Sequence, residues 1–368
     1  MTGGPVGVAL VGAGVISDQY LTNLTSYPDV RVVAVADRFP DRAAAQAARY
    51  GIAATGVEEA LARDDVEIIV NLTNPVAHAE VASAAIAAGK HVFSEKPFAL
   101  DRTSGRRLLD EATAAGVRIG GAPDTFLGPS LQTCRRVVER GDIGVPLSGL
   151  TLLQTPGPVP DHQKLEILLT EGAGPLFDLG PYYLTALVQF FGAVGAVAAM
   201  GSTAAPVRVL QSGPRAGQEF AVTVPTHVGA LLRFESGEPA QSVWSWDSPL
   251  RREGFVEITG TEATLAVPDP NHFTGDIRIR ERGSLDWRPV PLEGTEVGGR
   301  GLGVLDIARA IREDRPHRAD GALAFHVLDT MAAIVESVET ATFVPIASSV
   351  RRPELLTKDW DPLAVTLS

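Results

Sequence analysis

Lys96, Asp178 and Tyr182 have the residue types and positions that acid–base chemistry requires. Lys96 follows the apolar segment His91–Ser94 and precedes Pro97, so we expect it at the end of a strand. Asp178 and Tyr182 are four positions apart, which places both on one face of a helix. A tyrosine with its ordinary pKa of about 10 is a weak base at neutral pH, but a neighbouring lysine ammonium favours the phenolate. Without such a neighbour, the apolar residues around Tyr182 favour a packing role.

His162 is a weaker candidate, for contact with a substrate. It lies with Asp161 and Lys164 in a proline-rich loop, and a solvated loop is the alternative interpretation. The single cysteine, Cys134, is expected to be an inert thiol because no activating pattern surrounds it. No set of His, Cys, Asp and Glu has the spacing of metal ligands, so we expect no metal.

The segment Gly12–Ser17 reads Gly-Ala-Gly-Val-Ile-Ser and nearly matches the dinucleotide-binding pattern G-x-G-x-x-G. Gly12 permits the tight turn, and Gly14 lets the backbone approach a pyrophosphate at a helix N-terminus. Ser17 replaces the third glycine, whose role is close packing, so a small serine is tolerable. The segment follows a buried strand and opens a helix, and we therefore predict NAD or NADP as the ligand.

Asp37 stands at the end of the second predicted strand, about 20 residues after the glycines, where a carboxylate accepts hydrogen bonds from ribose hydroxyls. Its charge repels a 2′-phosphate and favours NAD. Arg38 beside it would accommodate that phosphate, so NADP stays open. The alternative to a binding site is a glycine-rich turn in a protein that binds no dinucleotide.

The segment after the third predicted strand offers further contacts. Thr73 and Asn74 would supply hydrogen bonds at the carboxyl edge of the sheet, where ligands bind in such folds. Capping of the next helix by either side chain is an equally good interpretation. The predicted cofactor contacts are Gly12, Gly14, Val15, Ile16, Asp37, Arg38, Thr73, Asn74, Pro75, His78, Glu95 and Lys96.

The first third of the chain alternates apolar strands with helices. Continuous apolar runs of this kind mark strands that are buried on both faces of a parallel sheet. Short connections between alternating strands and helices predict a doubly wound α/β fold of the Rossmann type. The predicted strands are Val6–Val11, Val30–Ala36, Val66–Leu72, His91–Ser94 and Val117–Gly120.

The pattern changes after about residue 123. Longer segments of alternating polarity predict a large, mostly antiparallel sheet in an α+β domain, with a hairpin at Ser236–Pro239. We expect a cofactor domain over residues 1–123, a substrate-binding and oligomerisation domain over 124–345 and a tail over 346–368. The strands expected in the second domain are 148–155, 194–202, 226–235, 240–247, 254–260 and 276–282.

Composition limits the functional classes. The formal net charge is −12 and no long cluster of Lys and Arg is present, which argues against nucleic acid as a partner. No apolar run approaches about 18 residues without a charge, Gly or Pro, so we expect no membrane span, and the N-terminus has no pattern of a secretion signal. One cysteine in 368 residues fits a reducing compartment. We expect a cytoplasmic protein that does not contact a membrane.

Taken together, these motifs resemble those of the Gfo/Idh/MocA oxidoreductase family from Val6 to about Thr340. The resemblance implies a Rossmann domain, a second domain with an open sheet, and nicotinamide-dependent chemistry on a sugar-like or polyol substrate. It also implies homodimers or homotetramers through that sheet, and a Lys96–Pro97 bond that is often cis. The motifs are Gly12-Ala-Gly, Asp37-Arg38, Asn71-x-Thr, Glu95-Lys96-Pro97 and Gly174-Pro-Leu-Phe-Asp178-Leu-Gly180-Pro-Tyr182.

The sequence departs from the common family pattern at two positions. Many members carry a histidine where this chain has Tyr182 and a second aspartate where it has Thr185. Some relatives also use tyrosine, so we expect Tyr182 to act as the base with Lys96 and Asp178, and all three to contact substrate. Two other functions stay open, which are a lyase, isomerase or glycosidase that recycles bound NAD, and a regulator that senses sugars or dinucleotides without turnover.

Overall fold

The computed structural model describes residues 3–158, 165–170 and 173–367. The chain divides into two compact units. The first comprises Met1–Pro129, Glu293–Leu328 and Pro353–Ser368, and the second comprises Ser130–Leu292 and Asp329–Arg352.

The first unit contains a six-stranded parallel sheet with the order β3-β2-β1-β4-β5-β6. Its strands are β1 (Val6–Val11), β2 (Val30–Ala36), β3 (Ala53–Thr55), β4 (Ile68–Asn71), β5 (His91–Ser94) and β6 (Ile119–Gly121). The connecting helices are α1 (Val15–Leu24), α2 (Pro40–Tyr50), α3 (Val57–Ala62), α4 (Pro75–Ala87) and α5 (Arg102–Ala115). The predicted doubly wound parallel sheet is confirmed. The sequence prediction missed β3, which has three residues and no apolar run.

The second unit contains a nine-stranded sheet with the order β16-β15-β14-β13-β7-β12-β11-β8-β17. Only the β7–β12 pair is parallel among the described strands of this sheet. These strands are β7 (Pro146–Gln154), β8 (Val194–Ser202), β11 (His227–Phe234), β12 (Pro239–Ser245), β13 (Arg252–Gly260), β14 (Ala263–Val267), β15 (Arg278–Glu281), β16 (Arg288–Pro289) and β17 (Val344–Pro345). A separate hairpin pairs β9 (Val207–Val209) with β10 (Glu219–Ala221). The predicted large, mostly antiparallel sheet is confirmed.

The remaining helices follow in the chain. They are a short 3₁₀ helix (Thr125–Leu127), α6 (Pro129–Glu139), α7 (Leu165–Leu168), α8 (Gly174–Phe191), α9 (Leu302–Glu313) and α10 (Gly321–Thr340). By length and composition alone α10 is apolar enough to cross a membrane, but 67% of that apolar window is buried inside the protein. Burial of this extent is typical of a core helix.

Two C-terminal segments belong to the first unit and not to the regions that the sequence analysis proposed for them. Arg309 of α9 donates to the fully buried Asp29 over 2.8 Å. The same carboxylate accepts the main-chain N–H groups of Thr366 and Leu367, each over 2.9 Å. Residues 293–328 and the tail therefore complete the cofactor unit, through contacts between residues that are remote in the sequence.

His317 lies in the first of these segments, and its Nε2 is 3.2 Å from the Ile119 carbonyl oxygen of β6. Burial lowers the pKa of His317 to about 4, although the charge of Asp306 and the Ile119 carbonyl act in the opposite direction. The folded protein therefore holds this imidazole in its neutral form at neutral pH.

We expect His317 to make the protein less stable in mild acid. Between pH 6.5 and about 4 the unfolded state binds a proton at His317 that the folded state does not bind. The free energy of unfolding therefore falls as the pH falls through this window, by about 3 kcal/mol for this group. Urea unfolding across this range measures the slope, and His317→Gln should flatten it. Equal slopes for the variant and the parent would contradict the assignment.

Candidate active site

The turn between β1 and α1 crosses the chain that follows β4. Gly12 has φ +110°, and a Cβ placed there would lie 2.6 Å from both the carbonyl carbon and the oxygen of Leu72. Its N–H donates to the Ala36 carbonyl of β2 over 2.8 Å. Both the backbone conformation and the space require glycine, as the tight turn of the sequence motif predicts.

Gly14 differs from Gly12 because, among the residues that the structure describes, a Cβ at Gly14 would meet no atom within 4 Å. It is the N-cap of α1, and no side chain caps that end of the helix. An uncapped helix N-terminus presents backbone N–H groups and a partial positive charge to an anion. This open cradle fits the pyrophosphate of a dinucleotide.

Ser17, at the third position of the motif, is fully buried, and its hydroxyl donates to the Gly14 carbonyl over 2.6 Å. It packs towards α2, from which Gln46 donates to its hydroxyl over 3.2 Å. The serine thus performs the packing role of the missing glycine and strengthens the first turn. Val15, two positions before it, is 92% exposed and lies at the mouth of the cradle.

Asp37 lies at the carboxyl end of β2 and ties two loops together. Its Oδ2 accepts the Ala13 N–H and its Oδ1 accepts the Phe39 N–H, each over 2.8 Å. A carboxylate oxygen has two lone pairs, so each oxygen retains a site for a ribose hydroxyl. The guanidinium groups of Arg38 and Arg42 lie 4.7 and 4.6 Å from the centre of the Phe39 ring. A positive surface therefore lies beside the carboxylate.

The structure bears on one of the two interpretations of Thr73 and Asn74, the capping of α4. Asn74 is the N-cap of α4 but makes no side-chain capping bond. The Thr73 hydroxyl donates to the Asn71 side chain over 2.7 Å. Neither side chain caps the helix, and both lie at the carboxyl edge of the sheet, with Pro75 as the first residue of α4.

Asn71 shapes this loop, a role that the sequence analysis did not assign although it noted the residue in the motif. It is fully buried, and its amide donates to the His78 carbonyl over 2.9 Å. Its side-chain oxygen accepts bonds from Thr73, as described above. A buried amide at the end of an apolar strand is the signal that would have identified it.

His78 is almost fully buried, and both of its ring nitrogens face main-chain carbonyl oxygens. Nδ1 is 2.8 Å from the Pro97 oxygen and Nε2 is 3.0 Å from the Thr73 oxygen. Burial lowers its pKa, while both of these carbonyls act in the opposite direction. Its imidazole joins the loops after β4 and β5, so the geometry indicates a supporting role and not the direct cofactor contact that we expected.

Glu95, Lys96 and Pro97 directly follow β5, as the sequence predicts. Glu95 is 7% exposed, and its Oε2 accepts the Lys96 N–H over 3.0 Å. The Lys96–Pro97 peptide bond is cis, as the family resemblance implies.

In the second unit, Asp178 and Tyr182 occupy successive turns of α8, which confirms that they share a helix. Asp178 is half-buried and Tyr182 is 4% exposed. Pro181 lies between them, and its missing N–H leaves the Phe177 carbonyl without its usual helical partner. The helix is therefore locally altered at the turn that carries both candidate residues.

Tyr183 is a structural residue. It is 1% exposed, and its hydroxyl accepts the Gly254 N–H of β13 over 2.9 Å. His162, Asp161 and Lys164 lie outside the described residues. Within the ranges that the structure describes, no cluster of three or more His, Cys, Asp or Glu residues is arranged to hold a metal.

Comparison with known proteins identifies the family. Residues 6–121 match the model of an oxidoreductase family with an NAD-binding Rossmann fold, and residues 131–266 match the GFO/IDH/MocA C-terminal domain. The chain belongs to the Gfo/Idh/MocA oxidoreductase family. Its first unit is the NAD-binding Rossmann domain of that family.

Relatives in this family resemble the chain over most of its length. The dTDP-3,4-didehydro-2,6-dideoxy-alpha-D-glucose 3-reductase of Streptomyces antibioticus is 32% identical over 84% of this chain and 91% of its own. The trans-1,2-dihydrobenzene-1,2-diol dehydrogenase of Bos taurus is 27% identical over 83% of this chain and 86% of its own. An NAD binding oxidoreductase from Klebsiella pneumoniae has the same fold, with a TM-score of 0.81, 24% identity and coverage of 94% and 100%.

The two glycines of the turn should respond differently to alanine. Gly14→Ala meets no protein atom, so we expect an unchanged Tm but weaker NADH binding, by about tenfold or more, because the methyl occupies the pyrophosphate cradle. Gly12→Ala should lower both the Tm and the affinity, because its Cβ overlaps the Leu72 backbone. Thermal unfolding and NADH fluorescence titration measure the two effects. Unaltered NADH affinity in Gly14→Ala would argue against this cradle.

Proposed function

We propose that the protein transfers a hydride between a nicotinamide and a secondary alcohol or ketone of a sugar, polyol or sugar derivative. The uncapped α1 N-terminus at Gly14 is the observation that carries the cofactor part, because no atom of the described residues lies within 4 Å of a Cβ placed there. Membership of the NAD-binding oxidoreductase family supports the redox part. The Streptomyces relative is named as a reductase of a sugar nucleotide, which supports a carbohydrate-like substrate.

The residues that would hold the cofactor follow the carboxyl edge of the parallel sheet. Gly12, Gly14, Val15 and Ile16 would surround the pyrophosphate, and Asp37 and Arg38 would meet the adenosine ribose. Thr73, Asn74, Pro75, Glu95 and Lys96 come from the next loops of the same edge. When bound, NAD or NADP supplies the hydride acceptor or donor. The negative charge of Asp37 favours NAD, and the positive charges of Arg38 and Arg42 would accommodate the 2′-phosphate of NADP.

The proposed chemistry uses Lys96, Asp178 and Tyr182. In the oxidative direction Tyr182 takes the hydroxyl proton of the substrate, while the hydrogen on the same carbon leaves with its electron pair. The Lys96 ammonium stabilises the charge that develops on the oxygen and favours the phenolate form of Tyr182. Asp178 orients the substrate or the lysine. Lys96, Asp178 and Tyr182 would also contact substrate, as would His162.

A redox screen tests this proposal. The protein is incubated with sugars, polyols and sugar nucleotides in the presence of NAD or NADP, and the absorbance of reduced nicotinamide is followed. We expect turnover with at least one carbohydrate. Cofactor that copurifies and converts substrate without replenishment would indicate net isomerisation or elimination. Binding of sugar or dinucleotide without turnover of any substrate would indicate a sensor.

Substitutions of the proposed catalytic residues should separate turnover from cofactor binding. We expect Lys96→Ala and Tyr182→Phe each to lower kcat by about 100-fold or more, with NADH affinity nearly unchanged. Tyr183→Phe is the matched control, because its hydroxyl is bound to the Gly254 main chain. Steady-state kinetics and NADH titration provide the measurements. Full activity in Lys96→Ala would contradict the assignment.

We also propose that the protein is a cytoplasmic homodimer or homotetramer, assembled through the sheet of the second unit. One face of this sheet packs on α8, since a Cβ at Gly149 of β7 would lie 2.9 Å from Leu187. On the opposite face, register pairs Leu150 with Gln241 and Gln241 with Leu231, which is 51% exposed. Met200 on neighbouring β8 is 81% exposed. An exposed apolar sheet face of this kind favours burial against a second copy.

Light scattering after size exclusion should show a dimer or tetramer at micromolar concentration. Leu231→Arg replaces an exposed apolar side chain of this face with a charged one and should shift the protein towards monomers. Leu285→Arg is the control, because Leu285 is 84% exposed and lies outside the sheet. A monomeric parent protein, or an unchanged oligomer in Leu231→Arg, would contradict this interface.

A further inference from the structure

Tyr20 connects the cofactor helix to the segment that carries Lys96. It lies on α1, six residues after the Gly14 cradle, and it is fully buried. Its hydroxyl donates to Oε1 of Glu95 over 2.8 Å. The Tyr20 ring also packs against Phe93 of β5, with ring centroids 6.4 Å apart. Helix α1 and the end of β5 are therefore joined by both a polar and an aromatic contact.

The Glu95 carboxylate that binds Tyr20 also binds the main chain of Lys96. Its second oxygen, Oε2, accepts the Lys96 N–H over 3.0 Å. The Glu95 main chain is held as well, because its own N–H donates to the Asn71 carbonyl over 2.9 Å. Lys96 therefore follows a residue whose main-chain N–H and both carboxylate oxygens are held by hydrogen bonds.

The surroundings of Tyr20 keep its hydroxyl protonated, so that it remains a hydrogen-bond donor. Burial raises its pKa well above the ordinary value, and the negative charges of Glu95 and Asp124 raise it further. Arg300 acts in the opposite direction. Asp124 is itself fully buried and accepts the N–H of Gly301 over 2.9 Å at the start of α9.

Solvent cannot replace the Tyr20 hydroxyl at this depth. Tyr20 is fully buried and Glu95 is 7% exposed. In such surroundings, loss of a donor leaves the carboxylate with an uncompensated cost of desolvation, which destabilises its present position. His78 is a further titratable group whose charge interacts with Glu95 and Lys96. Its bond to the Pro97 carbonyl holds the other side of the same segment.

We propose that Tyr20 is a positioning residue for Lys96. Its hydroxyl holds the Glu95 carboxylate, which holds the main chain of Lys96 in the place from which the ammonium acts. The proposal rests on the proposed function, in which Lys96 serves the reaction. It adds a residue that touches neither substrate nor nicotinamide and that couples the pyrophosphate helix to the proposed catalytic lysine.

The first test measures Lys96 directly and needs no turnover. The chain contains only four lysines, Lys90, Lys96, Lys164 and Lys358. Labelling of the purified protein with an amine-reactive ester, followed by peptide mass spectrometry, therefore gives the reactivity of Lys96 separately. In Tyr20→Phe we expect Lys96 to react faster by about threefold or more, because its main chain is less restrained. Lys90 is an internal control, since its Nζ donates to the carbonyls of Arg63 and Val66.

The matched control variant is Tyr27→Phe. Tyr27 is 2% exposed, and burial raises its pKa, so it is another buried tyrosine of the same unit. No hydrogen bond from its hydroxyl occurs within the described residues. We expect Tyr27→Phe to leave the reactivity of Lys96 and the kcat unchanged.

The second test separates an effect on turnover from an effect on cofactor binding. Tyr20→Phe should lower kcat by about tenfold while the Kd for NADH changes by less than about threefold. In a Glu95→Ala background the same substitution should have little further effect, because the side-chain acceptor through which Tyr20 acts has gone.

Three outcomes would overturn the proposal. They are unchanged Lys96 labelling in Tyr20→Phe, equal losses of kcat and NADH affinity, and additive effects of Tyr20→Phe and Glu95→Ala. If the parent protein turns over no substrate, the proposed function fails. The labelling experiment still decides whether Tyr20 positions Lys96.

Discussion

The close crossing of two backbones at Gly12 is the constraint on which the cofactor site depends. A side chain at this position would occupy the space of the Leu72 carbonyl. Because Gly12 has none, the turn after β1 can lie directly against the turn after β4. Asp37 then joins the loops that end β1 and β2, Asn71 shapes the loop that ends β4, and the uncapped start of α1 faces outwards. Removing this approach would separate the groups that a dinucleotide must contact at the same time.

The cofactor unit is assembled from three separate stretches of chain. The parallel sheet comes from the N-terminal stretch. The buried Asp29 carboxylate accepts the main-chain N–H groups of residues 366 and 367, and the buried Asp124 carboxylate accepts those of residues 301 and 303. Arg309 forms an ion pair with Asp29 and also donates to the Asp361 carbonyl of the tail. A buried carboxylate is costly unless donors surround it, so these contacts make the C-terminal segments part of the Rossmann unit.

The family defines the reaction class more firmly than it defines the substrate. The first unit contains the open cradle at Gly14 and the segment of Lys96. The second unit supplies Asp178 and Tyr182 on a helix that Pro181 interrupts. In the function proposed above, specificity among sugars, polyols and their derivatives would depend on such side chains, because small differences in their direction decide which hydroxyl is held near the base.

The sequence by itself determined the alternation of strands and helices, the glycine turn, Asp37 at the end of β2, Lys96 after β5 and the pairing of Asp178 with Tyr182 on one helix. Each of these follows from neighbours within one or two turns of the chain, since burial on both faces produces continuous apolar runs. The tertiary structure decided that His78 binds two carbonyls, that Tyr20 meets Glu95, and that residues 293–328 and 353–368 join the first unit. These contacts join residues that are 5 to more than 300 positions apart, and local periodicity carries no information about which distant side chains will meet.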